Sequence, residues 1–352
     1  MSQENAPSRL LRTIRGEVCD QVPVWFLRQA GRYLPEYRAV RARCGDFLDL
    51  VFNPDAATEV TLQPIERFDM DAAILFSDIL VTPLALGQKV WFEQGEGPRL
   101  SPLHEIDWRK PVEPDQADRH LAPIYQTVRQ IRQRLPADKA LIGFAGAPWT
   151  VASYMVAGGS SKDHAPARDM ARRQPNDFAI LIERLTQITI DYVAGQIRAG
   201  ADVVMLFDSW AGALAADQVG PWVLEPTRAI VAGLKALFPD TPVIGFPRGA
   251  GLHLPVYVET GVDCLHIDET VPAAWAAHTL QPRVCVQGNL DPRLMAVGGD
   301  TVASESRAVL GALAKGPHIF NLGHGLTPDS DPEAVRLAVE TAHRFKEERA
   351  HV

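Results

Sequence analysis

The chain has 352 residues, of which 46% are hydrophobic and 22% are charged, and its formal net charge is −8 at pH 7. This composition is typical of a globular protein, and the length suits one large α/β barrel or two smaller domains. The negative charge argues against general binding to nucleic acids or anionic membranes, because a phosphate surface needs a basic partner. A small anionic molecule requires only a local cluster of arginines.

The opening stretch MSQENAPSRLLRTIRGE is polar and lacks the apolar core of a secretion signal. No run of about 18 apolar residues is present that could form a membrane helix. The four cysteines, Cys19, Cys44, Cys264 and Cys285, are too few for a disulfide scaffold, so reduced thiols are expected. We therefore expect a cytoplasmic protein that binds neither membranes nor nucleic acids.

Short apolar runs recur along the chain, and each is followed by a turn and a helix-like stretch. Eight runs are predicted as strands: residues 24–27, 72–76, 140–144, 203–207, 243–246, 264–267, 284–287 and 318–321. Clear helical patterns cover residues 177–198 and 331–349. Strands that alternate with helices predict a parallel sheet with both faces covered. The absence of GxGxxG after the first strand favours a closed barrel over a dinucleotide-binding sheet.

The predicted fold is therefore a single (β/α)8 TIM barrel, with residues 1–352 as one domain, because no linker or internal repeat divides the chain. The longest departure lies between the second and third predicted strands, at residues 83–138. Within it, residues 89–93 and 99–102 flank the turn-rich segment 94–98. This pattern predicts a β-hairpin excursion.

Two arginines follow the first predicted strand. In a (β/α)8 barrel the active site lies at the carboxyl ends of the strands, which makes residues in these positions candidates. Arg28 and Arg32 are four residues apart with Gly31 between them. A guanidinium binds carboxylates in a two-pronged geometry and stays charged when partly desolvated. The pair predicts a substrate with several carboxylates; two arginines in surface ion pairs are the structural alternative.

Other polar side chains follow the later strands. Asp78 directly follows an apolar strand, so we expect it to enter an enclosed cavity, where a carboxylate needs a cation or N–H donors; its alternative role is to cap the next helix. His324 lies between two glycines, which leave space for a ligand. Tyr154 and Ser209 can donate neutral hydrogen bonds to carboxylates, although each residue alone fits a structural role better.

The sequence contains three candidate zinc ligands. Cys264, His266 and Cys285 fall on or near adjacent predicted strands and are residue types that bind zinc. However, no further firm ligand is evident at the rim. The residues alone therefore do not support a metal site.

Six segments in chain order resemble the uroporphyrinogen decarboxylase family of the haem pathway: PVWFLRQAGRYLPEYR, FSDIL, GFAGAPWTVASYM, FDSWAG, QGNLDP and FNLGHG. The resemblance runs from about residue 23 to 325, and RQAGRYLPEYR is its most specific block. One departure is Asp208 before Ser209, where other members carry Glu. The resemblance implies a (β/α)8 barrel, a homodimer with facing clefts, and neither a metal nor an organic cofactor.

The resemblance also implies the reaction and its residues. The family decarboxylates the four acetate side chains of uroporphyrinogen III to methyl groups, giving coproporphyrinogen III in haem biosynthesis. Its substrate-contacting positions correspond to Arg28, Gln29, Ala30, Gly31, Arg32, Asp78, Tyr154, Ser209 and His324. Of these, Asp78, Arg28, Arg32, Tyr154 and His324 are the expected catalytic group. The proton donor stays open between an arginine and a bound water.

Two alternatives are distinguishable from this interpretation. A zinc-dependent corrinoid or thiol methyltransferase of the related barrel group would hold stoichiometric zinc. A porphyrin carrier on the same scaffold would bind a tetrapyrrole and leave its carboxylates unchanged. Metal analysis separates the first alternative, and product analysis separates the second.

Overall fold

The computed structural model describes residues 7–93, 97–113 and 115–349. Strands in this part of the chain are β1 (Ala72–Ile74), β2 (Val90–Glu93), β3 (Gly97–Leu100), β4 (Ala140–Gly146), β5 (Val203–Asp208), β6 (Val243–Pro247), β7 (Cys264–His266), β8 (Cys285–Leu290) and β9 (His318–Leu322). Seven of these described strands form one parallel sheet in the order β1-β4-β5-β6-β7-β8-β9. In this α/β fold, apart from the separate pair β2 and β3, each strand therefore lies beside the next one along the chain.

Helices of the described residues alternate with these strands. They are α1 (Arg9–Ile14), α2 (Pro35–Arg43), α3 (Phe47–Val51), α4 (Pro54–Phe68), α5 (Val81–Ala85), α6 (Gln116–Arg134), α7 (Pro148–Ala157), α8 (Ala165–Arg173), α9 (Pro175–Ala199), α10 (Ala216–Val219), α11 (Glu225–Leu237), α12 (Leu254–Tyr257), α13 (Ala273–Thr279), α14 (Leu294–Val297), α15 (Asp300–Ala312) and α16 (Pro332–Arg349). None of the described helices is long and apolar enough to cross a bilayer.

The strands of the sheet are buried on both faces. Every residue of β4 and of β6 is buried, as expected for parallel strands that helices cover on one side. Helix α6 packs between α4 and α9, and α11 packs against α9, so neighbouring helices form a continuous outer layer. The carboxyl ends of the strands, where the candidate residues follow, are thus brought to one rim of a curled sheet.

The two predicted long helices are confirmed. Residues 177–198 lie within α9, which begins two residues earlier because Pro175 suits the first helical turn. Helix α9 ends at Gly200, which adopts φ 119° and whose N–H donates to the Ile197 carbonyl at 3.0 Å. Residues 331–349 correspond to α16.

The first predicted strand, residues 24–27, is an isolated bridge rather than a regular strand. Val24 bridges to Phe320 of β9, whose N–H donates to the Pro23 carbonyl at 2.9 Å. On the other side, the Val24 carbonyl accepts the Asp71 N–H at 2.8 Å, while the Val24 N–H donates to the Asp71 carboxylate at 2.9 Å. A side chain thus replaces one rung of the ladder, which explains why no regular strand forms here.

An antiparallel pair of strands lies between β1 and β4. Val90 of β2 is opposite Leu100 of β3, and Glu93 is opposite Gly97. Strand β3 begins inside the segment predicted as a turn, and residues 94–96 of that turn lie outside the described residues. The Leu100 N–H donates to the Gly158 carbonyl at 3.0 Å, so the pair lies against the end of α7.

Candidate active site

Arg28 occupies an unusual backbone position at the rim. Its φ is 58°, in the left-handed region that few residues other than glycine adopt. The preceding Leu27 is held on both sides, since its N–H donates to the Asn321 side chain at 3.2 Å and its carbonyl accepts the Leu326 N–H at 2.9 Å. A Cβ on Gly325 would lie 2.7 Å from Arg28 Cγ. This glycine therefore makes room for the arginine stem.

Asp78 lies half-buried at the end of the segment after β1. One carboxylate oxygen accepts the Leu80 N–H at 2.8 Å, which is the capping-like role considered from the sequence. The other oxygen has no hydrogen-bond partner among the described residues. Burial raises the pKa of Asp78 to about 6, against the opposing effects of the Leu80 N–H and the positive charge of Arg28. Asp78 is thus a half-buried carboxylate with one oxygen available.

Tyr154 of α7 belongs to the same electrostatic neighbourhood. Burial raises its pKa; the neighbouring Trp210 side chain and the charge of Arg28 act to lower it, and the charge of Asp78 acts to raise it. Its ring lies 6.3 Å from the Trp210 ring, measured between centroids. The phenol is therefore a neutral hydrogen-bonding group beside the Arg28 and Asp78 charges.

His324 also lies within range of the Arg28 charge. Burial lowers its pKa to about 3, with the charges of Arg28 and Arg248 acting in the same direction and Asp268 opposing them. The imidazole is consequently neutral at pH 7 and can exchange hydrogen bonds with a ligand, but it cannot act as a cation. The charge of Arg28 thus affects the pKa values of Asp78, Tyr154 and His324, three of the residues proposed from the sequence.

Arg32 and Gln29, two further candidates from the sequence, are placed differently from these residues. Arg32 is exposed. Burial raises the pKa of Tyr37, and the charge of Arg32 is one of those that oppose this rise; it does not act on the pKa of Asp78, Tyr154 or His324. The Gln29 side chain is fully buried and bonds the Phe26 N–H and the Ala72 carbonyl, each at 3.1 Å. Its amide is therefore occupied by the protein's own backbone.

The backbone after Gln29 is more open. Within the described ranges, the N–H groups of Ala30 and Gly31 donate to no protein acceptor, and both residues are half-buried. Successive free N–H groups form a concavity that suits an anion. Ser209 is also half-buried and lines a cavity of about 230 Å³ at the rim.

Three residues of this cavity carry charges to which the sequence assigned no role. Arg248 and Glu269 line it and form an ion pair at 3.7 Å. Asp268 accepts the Gly249 N–H at 2.7 Å, which ties the turn after β6 to the turn after β7. Their position directly after strands was a signal, but their pairing depends on contacts between turns that sequence spacing does not reveal.

Asp208 anchors the turn that carries Ser209. The Thr150 hydroxyl donates to its carboxylate at 2.5 Å and accepts the Trp210 N–H at 3.1 Å. Burial raises the pKa of Asp208 to about 7, and the bond from Thr150 opposes that rise. Through Thr150, this acidic residue therefore links the turn that carries Ser209 to helix α7.

The three residues considered as zinc ligands are arranged differently. Cys264 and Cys285 are register partners on β7 and β8, while His266 Nδ1 lies 2.7 Å from the side-chain amide of Gln287. Among residues 7–93, 97–113 and 115–349, no group of three His, Cys, Asp or Glu side chains is placed to hold a metal ion.

Solved structures of other proteins share the fold. A methyltransferase from Methanosarcina mazei superposes with a TM-score of 0.80 over 96% of this chain and 98% of that one, at 19% identity. A B12-independent methionine synthase from a Shewanella species gives 0.54 at 12% identity, covering 85% and 87% of the two chains. Identities this low show a common fold and carry no activity across.

Sequence relatives are much closer. The family model described as "Uroporphyrinogen decarboxylase (URO-D)" matches residues 5–345. Proteins named uroporphyrinogen decarboxylase from Ruegeria pomeroyi and Paracoccus denitrificans are each 53% identical, covering 96% and 94% of this chain and 98% and 97% of their own lengths. One from a Jannaschia species is 52% identical over 94% of this chain and 97% of its own. The chain belongs to the uroporphyrinogen decarboxylase family.

Proposed function

We propose that this protein removes CO₂ from the four acetate side chains of uroporphyrinogen III, giving coproporphyrinogen III in haem biosynthesis, with no metal or organic cofactor. The observation that supports the proposal is that the charge of Arg28 acts on Asp78, Tyr154 and His324 alike, three groups suited to bind a carboxylate or a cationic ring. It occurs in a chain whose relatives, at about half of all positions identical, carry the decarboxylase name.

The substrate supplies the electron sink for this reaction. Protonation of a pyrrole carbon gives a cationic ring, and cleavage of the bond to the carboxylate sends its electron pair into that ring. CO₂ leaves, and the exocyclic carbon then takes a proton while the ring loses its extra one. Each acetate therefore consumes one proton in total and becomes a methyl group. A pyridoxal or thiamine cofactor is unnecessary because the pyrrole itself accepts the electrons.

Asp78 suits the stabilisation of that cationic ring. Its pKa of about 6 leaves it ionised at neutral pH, and one of its oxygens is free to accept pyrrole N–H groups. A fixed negative charge in a partly desolvated position favours the developing positive charge and costs little reorganisation during the reaction.

The other residues suit the recognition of carboxylates. Arg28 and Arg32 offer guanidinium groups, and the N–H groups of Ala30 and Gly31, next to Gln29, offer backbone donors. Tyr154, Ser209 and His324 add neutral hydrogen bonds, which orient a carboxylate without neutralising it. A tetrapyrrole with eight carboxylates needs such a distributed set of donors.

We also propose the finer features of the architecture. Residues 24–27 would complete a (β/α)8 barrel, supported by the hydrogen bonds of this segment to Phe320 and Asp71 at the two edges of the sheet. Strands β2 and β3 would form the hairpin excursion, supported by their antiparallel register. The chain would act as one domain, as a homodimer, in the cytoplasm; four free cysteines are consistent with reduced thiols there.

Incubation with uroporphyrinogen under anaerobic conditions tests the function. The products are separated by chromatography according to their number of carboxylates. A decarboxylase yields species with seven, six, five and finally four carboxylates. A carrier protein would return the octacarboxylate unchanged, and that result would overturn the proposal.

A further inference from the structure

A chain of hydrogen bonds runs through the interior of the curled sheet, beneath the candidate site. The indole Nε1–H of Trp25 donates to Gln287 Oε1 at 2.9 Å. Gln287 Nε2 lies 2.7 Å from His266 Nδ1. All three side chains are completely buried. None of them belongs to the set of substrate-contacting residues proposed above.

The direction of this chain sets the tautomer of His266. An indole N–H can only donate, so the Gln287 oxygen must face Trp25 and its NH₂ group must face His266. An amide NH₂ also only donates, so His266 Nδ1 is an acceptor and carries no proton. The imidazole is neutral, since burial lowers its pKa to about 3, and its single proton therefore lies on Nε2.

That Nε2–H group is buried and has no hydrogen-bond partner within the described residues. The Leu322 and Gly323 main chain lies beside it and, with Asp268, acts to raise the His266 pKa, while the proximity of His324 acts to lower it. A buried donor without a partner costs about 1–3 kcal/mol. The neighbours that can relieve this cost are the carbonyls of the segment that leads directly to His324.

Ring contacts place His266 under the same part of the site. Its ring meets the Phe246 ring edge-on, with centroids 4.2 Å apart, and the His324 ring lies 6.3 Å from the same phenylalanine. Gly325, which follows His324 in the chain, makes room for the aliphatic part of the Arg28 side chain. A shift of the rim segment would therefore move both His324 and Arg28.

We propose that His266 is a positioning residue for the decarboxylation. Held as the Nε2–H tautomer by Gln287, it presents its N–H to the neighbouring main chain of Leu322 and Gly323. It thereby fixes where His324 meets a substrate carboxylate. This inference deepens the proposed function and rests on it for its kinetic consequences, whereas the tautomer itself can be measured without any substrate.

The tautomer is tested by ¹⁵N NMR of the full-length protein with labelled histidine, assigned by comparison with His266→Phe. We expect a protonated Nε2 and an unprotonated Nδ1 at pH 7 in the wild type. In Gln287→Glu, the new carboxylate accepts from both Trp25 and His266, which moves the proton to Nδ1. A wild-type His266 protonated on Nδ1 would overturn the proposal whatever the enzyme's activity.

The link to His324 is tested by a double-mutant cycle in steady-state kinetics. His266→Phe keeps the ring against Phe246 and removes the N–H, so we expect kcat/KM to fall about tenfold, as for one lost interaction of about 1.4 kcal/mol. In a His324→Ala background the same change should have almost no further effect, because the residue through which it acts is gone. Equal losses in both backgrounds would show a merely structural role and refute the positioning.

Gln287→Glu has a matched control in Gln196→Glu. Gln196 is also a fully buried glutamine, but it bonds the Phe144 N–H and carbonyl and has no imidazole partner. Both variants place a carboxylate in the interior and should lower the Tm, whereas only Gln287→Glu should lower kcat/KM of the folded protein. Equal kinetic losses in the two variants would contradict the proposal. If the wild type left uroporphyrinogen unchanged, the proposed function would fail while the NMR result still decided the tautomer.

Discussion

Arg28 acts on more of the candidate groups than any other described residue. Its charge opposes the rise in the Asp78 and Tyr154 pKa values and contributes to the low pKa of His324. A single guanidinium thus helps to keep the carboxyl ionised and the imidazole neutral at pH 7. This combination suits a site that binds carboxylates while it stabilises a cationic ring.

Asp78→Asn should leave the fold intact and lower kcat by a factor of about 100 or more. The asparagine oxygen can still accept the Leu80 N–H, which preserves the local turn, but the negative charge opposite the cationic ring is lost. The measurement is kcat by product chromatography, with circular dichroism as the check on folding. Near-normal turnover in a folded variant would exclude the proposed role of Asp78.

The same substitution should change stability in a pH-dependent way. The folded pKa of about 6 lies above the ordinary value of 3.8, so the stabilisation linked to the Asp78 proton is complete below pH 4 and is lost as the pH rises through 6. Asparagine does not ionise, so the variant should gain stability over the wild type across that window. Denaturant titrations at pH 4 and pH 7.5 measure the difference. A larger advantage at pH 4 than at pH 7.5 would contradict the pKa assignment.

At the scale of elements, the candidate site is built from the turns that follow the strands. Gly325 and Gly323 flank His324 but do different things. The three atoms nearest to a Cβ on Gly325 would all belong to the flexible Arg28 side chain, whereas a Cβ on Gly323 would lie 2.7 Å from the Glu269 Cα. The first glycine therefore serves the position of a functional side chain, and the second serves the packing of the backbone.

Gly325→Ala should raise KM for the substrate with little loss of Tm, because the added methyl displaces Arg28 from its place over the turn. Gly311→Ala is the control: it lies within α15, and a Cβ there meets nothing within 4 Å. That control should keep its KM and gain about 0.5–1 kcal/mol of stability, since alanine is the better helix former. Unchanged KM in Gly325→Ala would show that the position of Arg28 does not govern binding.

The elements also show what the sequence can and cannot predict. Residues 140–144, 203–207 and 243–246 are correctly predicted as strands, because burial on both faces gives unbroken apolar runs bounded by turns. Residues 24–27 form no regular strand, because the Asp71 side chain, 47 residues away, takes over one rung of the pairing. Local composition cannot reveal such a partner.

The sequence likewise predicts some residues of the candidate site and not others. The positions of Asp78 and His324 follow from topology, since the ends of parallel strands meet at one rim. The chain through His266 does not, because Trp25 and Gln287 are 262 residues apart and meet only when the sheet curls. From the sequence, His266 suggested a zinc ligand; in the structure its Nδ1 faces an amide.

At the scale of the whole molecule, the assembly is the proposed feature that a single chain does not display. The 38.6 kDa chain should elute as a particle of about twice that mass, as a homodimer with facing clefts requires. Size-exclusion chromatography with light scattering measures this mass at several protein concentrations. A mass equal to one chain at all of them would exclude the stable dimer.

The central claim is that this one chain removes four carboxylates from one tetrapyrrole without a metal or organic cofactor. The direct measurement is the amount of CO₂ released per uroporphyrinogen, under anaerobic conditions, by protein treated with a chelator and dialysed. We predict four CO₂ per substrate molecule, coproporphyrinogen as the final product and no stimulation by added zinc. Absence of CO₂ release, or release that depends on an added metal or organic cofactor, would contradict the account.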